Sequence, residues 1–196
     1  MAEIAVFGGT FNPFHIGHYE ILAALCESER FDRVLLVPDR IPPHKSYCQS
    51  VSDDDRIKMC RIVCEDFSKA QLCLLEFERE GKSYTVDTVK ALKAIYPDDG
   101  IYITCGGDML STLDTWYHFD TLKKLASFVA FNRGNDPGFA ADIRRLRKMG
   151  ANIVVFDNRI TEISSSELRE HIERKYLPEK VWEYVNRRGI YKQQNN

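Results

Sequence analysis

A chain of 196 residues, 44% apolar and 29% charged with a net charge of −2, has the make-up of a soluble globular protein able to bury a real core. Near-neutral charge excludes a global basic field, so neither nucleic acid nor an anionic membrane is expected as a partner, and no apolar run reaches the length of a membrane span. The six cysteines, Cys26, Cys48, Cys60, Cys64, Cys73 and Cys105, contain no Cys-x-x-Cys pair and read as reduced, buried, small apolar residues.

Met1–Phe7 lacks the basic flank of a secretory signal and runs into glycines. Ile4–Phe7 therefore reads as a first strand, and the expected compartment is the cytoplasm. A glycine-histidine loop and a helix from Gly17 to about Glu29 follow. Val34–Val37 is a second strand. Pro38–Val51, with Pro38, Pro42, Pro43, His44 and Lys45, has the look of a long active-site loop. Ser52-Asp53-Asp54-Asp55 caps a helix expected to run to Phe67. Leu72–Phe77 reads as a strand and Thr85–Tyr96 as a helix stopped by Pro97. Strands at Ile101–Cys105, Phe128–Phe131 and Ile153–Phe156 alternate with helices at Phe119–Leu125 and Phe139–Met149. Helices at Ser165–Lys175 and Glu179–Arg188, the latter stopped by Gly189, close the chain.

Such runs, apolar throughout rather than alternating, suit parallel strands covered on both faces. The expected fold is α/β: a Rossmann-like, doubly wound, mostly parallel sheet with helices on both faces and a small helical C-terminal segment. One domain is expected over residues 1–196, with the helical C-terminal part over about 160–196 carrying a Ser-Ser-Ser-x-x-Arg motif. The site of such a sheet lies beyond the carboxyl ends of its strands.

The first strand delivers Gly8-Gly9-Thr10-Phe11-Asn12-Pro13-Phe14-His15-Ile16-Gly17-His18 to that edge. Gly8 and Gly9 allow a tight turn and close backbone approach, and Thr10 adds a hydroxyl. His15 and His18, three apart, share one face of a first helical turn, where free N–H groups already favour an anion. Gly17 leaves room for another group, such as a nucleobase, to pack on the helix. Two plainer readings compete: an ordinary turn with two surface histidines, or a metal pair. Near the other end, Ile163-Ser164-Ser165-Ser166-Glu167-Leu168-Arg169 fits a capping box at Ser164 and Glu167, with Ser165 and Ser166 in the first turn and Arg169 one turn later. The two segments together would neutralise a triphosphate without a covalent nucleophile.

The first segment resembles the His-x-Gly-His signature of a nucleotidyltransferase superfamily, and the second resembles its Ile-Ser-Ser-Thr-x-x-Arg signature. Over nearly its whole length the chain is similar to the bacterial nicotinate mononucleotide adenylyltransferase family, including Pro42–Lys45, Ser83-Tyr84-Thr85 with Asp87-Thr88, Gly106–Leu110, Thr115-Trp116-Tyr117, Asn132-Arg133-Gly134 and Tyr184–Tyr191. It departs from that pattern at Asn12, where an aspartate is common, and at Ser166, where a threonine is common.

The resemblance implies adenylyl transfer from ATP to nicotinate mononucleotide, giving nicotinate adenine dinucleotide and pyrophosphate, by direct attack. His15, His18, Ser165 and Arg169 would be catalytic. Gly8, Gly9, Thr10, Phe11, Gly17, Gly106, Asp108, Ile163 and Ser164 would bind ATP. Lys45, Thr85, Gly107, Trp116, Tyr117 and Arg133 would bind the mononucleotide, with Trp116 a flat platform for the ring. Mg²⁺ is expected through the ATP phosphates rather than on protein ligands, and a homo-oligomer stays open. Nicotinamide mononucleotide or phosphopantetheine as acceptor, CTP as donor, a non-catalytic ATP-binding regulator and a metal-binding module are the rivals.

Overall fold

The computed structural model describes residues 1–41, 51–132 and 137–191. Six strands form one sheet: β1 (Glu3–Gly9), β2 (Arg33–Pro38), β3 (Ala70–Leu72), β4 (Gly100–Gly106), β5 (Ser127–Phe131) and β6 (Ile153–Phe156). Their order is β3-β2-β1-β4-β5-β6, and every neighbouring pair is parallel. The chain winds outward from β1 to one edge, then returns to β4 beside β1 and winds to the other. The expected doubly wound sheet is therefore present, wholly parallel across these pairs, with its switch point between β1 and β4.

Alternate residues of each strand feed two different cores, which explains the unbroken apolar runs. Ala5, Phe7, Val34, Leu36, Val129 and Phe131 belong to one buried cluster; Ile4, Val6, Leu35, Val37, Phe128 and Ala130 belong to the other. The first face is covered by α1 (Ile16–Glu27), α2 (Asp53–Cys64) and, later in the chain, α7 (Ser165–Glu170) and α8 (Glu179–Arg188). The second is covered by α3 (Thr85–Ile95), the short α4 (Gly107–Leu110), α5 (Phe119–Leu125) and α6 (Phe139–Lys148). In α6, buried Phe139, Ile143 and Leu146 mark an apolar stripe at helical spacing. No described helix is long and apolar enough to cross a membrane.

Two expectations are corrected. The strand expected over Leu72–Phe77 is only Ala70–Leu72. Cys73 still donates to the Leu36 carbonyl, but the chain then turns, with Phe77 N–H on Leu74 O, and this tucks the Glu76 carboxylate under the Thr88 hydroxyl of α3. The helix expected over Ser165–Lys175 ends at Glu170, followed by a single 3-10 turn at Arg174–Tyr176. Between His171 and Lys175 only Ile172 is apolar, too little to hold further turns against the core.

Candidate active site

The β1 loop and the start of α1 form a cap of an unusual kind. His15 is the N-cap of α1, and its Nδ1 accepts from the His18 N–H at 3.4 Å. His18 stands at the third helical position and its Nδ1 accepts from the His15 N–H at 3.3 Å. The pair thus does the work that Ser and Glu do in an ordinary capping box. The two rings stack with centroids 3.6 Å apart. Because each Nδ1 is an acceptor, a neutral ring carries its proton on Nε2. Both imidazoles are thereby set as Nε2 donors.

Two aromatic side chains and two glycines hold this geometry. Phe11 sits at φ 49°, a left-handed conformation costly for a residue with a side chain, and its ring is buried edge-on to Phe7 and His18. A Cβ at Gly9 would lie 2.9 Å from that ring, so a larger residue there would displace it. Phe14 completes the aromatic shelf under His18, 5.3 Å between centroids. A Cβ at Gly17 would stand 2.8 Å from the Thr161 carbonyl and 3.3 Å from the His15 ring. On its Cβ side Gly17 therefore packs against the chain itself.

The second segment comes to the first. Ser164 caps α7: its hydroxyl oxygen accepts from the Glu167 N–H at 3.2 Å, while its own N–H donates to the Glu167 carboxylate at 2.9 Å. The Ser164 hydroxyl also donates to that carboxylate at 2.7 Å, and this bond, with the one from the backbone N–H, holds the Glu167 carboxyl below its ordinary value. The Ser165 hydroxyl then donates to the Pro13 carbonyl at 3.1 Å, and Arg169 Nη1 donates to the Asn12 carbonyl at 2.9 Å. Arg169 Nη2 is steadied by Ser166 Oγ at 2.9 Å. Asn12, the position that departs from the family's common aspartate, accepts the Tyr191 hydroxyl at Oδ1. The amide thus joins the loop to the C-terminal end without adding a charge.

These pieces surround a cavity of about 740 Å³ at the carboxyl ends of β1, β2 and β4, a volume usual for a small-molecule site. Of the residues expected to act, Gly8, Gly9, Thr10, Phe11, His15, His18, Gly106, Asp108, Ser164, Ser165 and Arg169 line it, as do Thr85, Trp116 and Tyr117. Thr85 opens α3, so backbone N–H groups of an eleven-residue helix face that end. Trp116 is part-buried against the second core and lines the cavity; Tyr117 is exposed and rests on Tyr84, 4.4 Å between centroids. Gly106 and Gly107 are not a plain turn: Gly106 caps α4, with exposed Asp108 in its first turn.

Gly17, Gly107 and Ile163 do not line the cavity. Gly17 lies against Thr161, Gly107 is buried as the first residue of α4, and Ile163 packs on the core beneath α7. Lys45 and Arg133 lie outside the described residues. Among the described residues no group of three His, Cys, Asp or Glu could hold a metal ion.

The sequence reading missed Arg56 and Asp39, both in the cavity wall. Among the described residues Arg56 is the largest fully buried side chain. The signal was present: Arg56, Met59, Cys60 and Val63 share one face of α2, and an arginine in a buried apolar stripe needs a reason.

The chain is similar in sequence and fold to proteins of one kind. The model of a family described as cytidylyltransferase-like matches residues 6–171. A relative from Listeria welshimeri named "Probable nicotinate-nucleotide adenylyltransferase" is 35% identical over 191 residues, covering 96% of this chain and 97% of the relative. One of the same name from Shouchella clausii is 36% identical over 200 residues, covering all of both chains. A solved structure titled Plasmodium falciparum nicotinic acid mononucleotide adenylyltransferase complexed with APC superposes with a TM-score of 0.78 at 20% identity, over 97% of this chain and 98% of that one. A second structure of that enzyme, complexed with NaAD, gives a TM-score of 0.77 at 20% identity over the same shares.

Proposed function

Since the chain belongs to the cytidylyltransferase-like family, and within it to the nicotinate-nucleotide adenylyltransferases, we propose that it transfers the adenylyl group of ATP to nicotinate mononucleotide, releasing pyrophosphate. The observation that carries the reading is the meeting of the two motifs in one cavity: Arg169 on the Asn12 carbonyl and Ser165 on the Pro13 carbonyl, beside the stacked His15 and His18.

The chemistry follows from those groups. An oxygen of the mononucleotide phosphate attacks the α-phosphorus of ATP; the new P–O bond forms as the bond to the bridging oxygen breaks, and pyrophosphate carries the electron pair away. A phosphate is already anionic at neutral pH, so no general base is required and the protein's work is alignment and charge stabilisation. The Nε2 donors of His15 and His18 face the phosphates, with hydrogen-bond angles fixed beforehand by the reciprocal cap. A guanidinium has five N–H donors; the two bonds described for Arg169 use only some of them, and the others serve the leaving pyrophosphate. An Mg²⁺ brought in with ATP would be held chiefly by the nucleotide itself, with exposed Asp108 in the cavity wall as the carboxylate at hand, and would neutralise phosphoryl charge. At the other end of the cavity, Trp116 gives a face for the pyridine ring, and the start of α3 at Thr85 favours its carboxylate.

The test is an acceptor comparison at fixed ATP and Mg²⁺. Nicotinate mononucleotide should give pyrophosphate at the highest kcat/KM. Faster turnover with nicotinamide mononucleotide or phosphopantetheine, or with CTP as donor, would overturn the substrate assignment.

A further inference from the structure

Parallel strands β1 and β2 part at their carboxyl ends, and the cavity opens there. Their last rung is the Asp39 N–H on the Gly9 carbonyl, 3.0 Å. One residue further along β1, a single side chain takes both strand ends. Arg56 Nη1 donates to the Thr10 carbonyl at 2.8 Å, and Nη2 donates to the Asp39 carbonyl at 2.8 Å. Nη2 also meets Asp53 Oδ1 at 2.7 Å, and Nη1 lies 3.5 Å from Asp39 Oδ1. The Thr10 hydroxyl donates to Asp39 Oδ2 at 2.8 Å and adds a side-chain rung.

Arg56 is 1% exposed. Burying a guanidinium is expensive, and an apolar residue would fill this face of α2 at less cost to stability, as Met59, Cys60 and Val63 do. What an apolar residue cannot do is hold two diverging backbone carbonyls at one spacing with a planar pair of donors. Thr10, Asp39 and Arg56 all line the cavity, and Thr10 belongs to the turn that leads to His15.

We infer that Arg56 is a positioning residue for the triphosphate: its guanidinium sets the gap between the Gly8–Thr10 turn and Asp39. It also keeps a fixed positive charge behind the phosphates, partly offset by Asp39 and Asp53. This rests on the adenylyl-transfer reading. It predicts that affinity depends on the two-pronged geometry of residue 56, beyond its charge or its contribution to stability.

The experiment measures binding of a non-hydrolysable ATP analogue by calorimetry, on full-length protein well below the melting temperature of each variant. Arg56→Lys keeps a charge and loses the planar fork; it should bind the analogue about tenfold or more weakly, since sub-ångström misplacement of contact groups is that costly. Asp53→Asn strips an ion-pair partner whose side chain is 35% exposed and leaves both carbonyl bonds; it should bind within about twofold of wild type. If Arg56→Lys does not fold, Thr10→Val, which removes the hydroxyl bond to Asp39, should still weaken binding about tenfold or more, by roughly the worth of a hydrogen bond to a charged group. Wild-type affinity in folded Arg56→Lys, or in Thr10→Val where Arg56→Lys is unfolded, overturns the inference. So does a loss in Asp53→Asn equal to that in Arg56→Lys. A wild-type protein that binds no ATP analogue overturns the functional reading itself, and the inference with it.

Discussion

Gly17→Ala adds one methyl group at the point where α1 passes Thr161, and the structure fixes what it would meet. The new Cβ would stand 2.8 Å from the Thr161 carbonyl oxygen, a backbone atom that cannot rotate away, and 3.3 Å from the His15 ring. The first contact is roughly 0.6 Å short of ordinary van der Waals distance, so either α1 or the Thr161 segment must shift. Thr161 is not free to yield, because its N–H and hydroxyl both donate to the Glu20 carboxylate of α1. Overpacking of this kind costs about 1–3 kcal/mol. For a chain of this size that lowers the melting temperature by roughly 2–12 °C, at about 2–4 °C per kcal/mol. The displaced element carries His15, so its stacking on His18 is disturbed and turnover should fall by about tenfold or more. Calorimetric unfolding and steady-state pyrophosphate release check both. An alanine variant with wild-type melting temperature and wild-type kcat would refute the view that Gly17 is fixed by the Thr161 carbonyl and supports the histidine pair.

Three further outcomes follow from the same structure. His18→Ala removes one phosphate donor and half of the reciprocal cap; kcat should drop by two or more orders of magnitude, in the range of ~10²–10³ for loss of one charge-stabilising donor, with a stability cost of about 1 kcal/mol, and near-normal turnover would sink the phosphate role. Trp116→Ala should mainly raise the KM for the mononucleotide; a change confined to ATP would count against the ring platform. Asp55→Asn bears on pH. Burial alone would raise the Asp55 carboxyl, but hydrogen bonds from Ser52, Tyr184 and Arg188 outweigh it and hold it below its ordinary value. A depressed folded value contributes stability above the unfolded value of about 3.9, lost as pH falls through the folded one. The asparagine variant should therefore melt lower than wild type at pH 7 by the equivalent of about 1–3 kcal/mol, with the gap closing in acid below about pH 4. A gap independent of pH would contradict the assignment.

What the sequence disclosed was whatever is encoded locally. The β1 run, the glycines and the His15/His18 spacing lie within a few residues of one another, and so do Ser164, Glu167 and Arg169. Each reads as a strand-to-helix turn or a cap without knowledge of the fold. That the two would meet followed from the order of strands and helices, since a doubly wound sheet brings successive strand ends to one edge. The contact itself, Arg169 on the Asn12 carbonyl, spans most of the chain and has no local signature. The reciprocal Nδ1 cap was also hidden, because histidine is not a usual capping residue. Which neighbour the missing Cβ of Gly17 faces, the Thr161 carbonyl, had no local signature either. The strand expected over Leu72–Phe77 shares only Leu72 with β3, because the turn after Cys73 places Glu76 under Thr88 of the following helix, a contact with no local signature. Arg56 belongs to no motif, and in the sequence only the apolar stripe around it sets it apart.

The central claim is that the two motifs build one site for direct transfer. With ATP labelled on its α-phosphate and nicotinate mononucleotide present, label should appear in the dinucleotide in step with pyrophosphate, with none retained on denatured protein and no pyrophosphate formed when the acceptor is left out. Label fixed to the protein, or pyrophosphate released without acceptor, would contradict it.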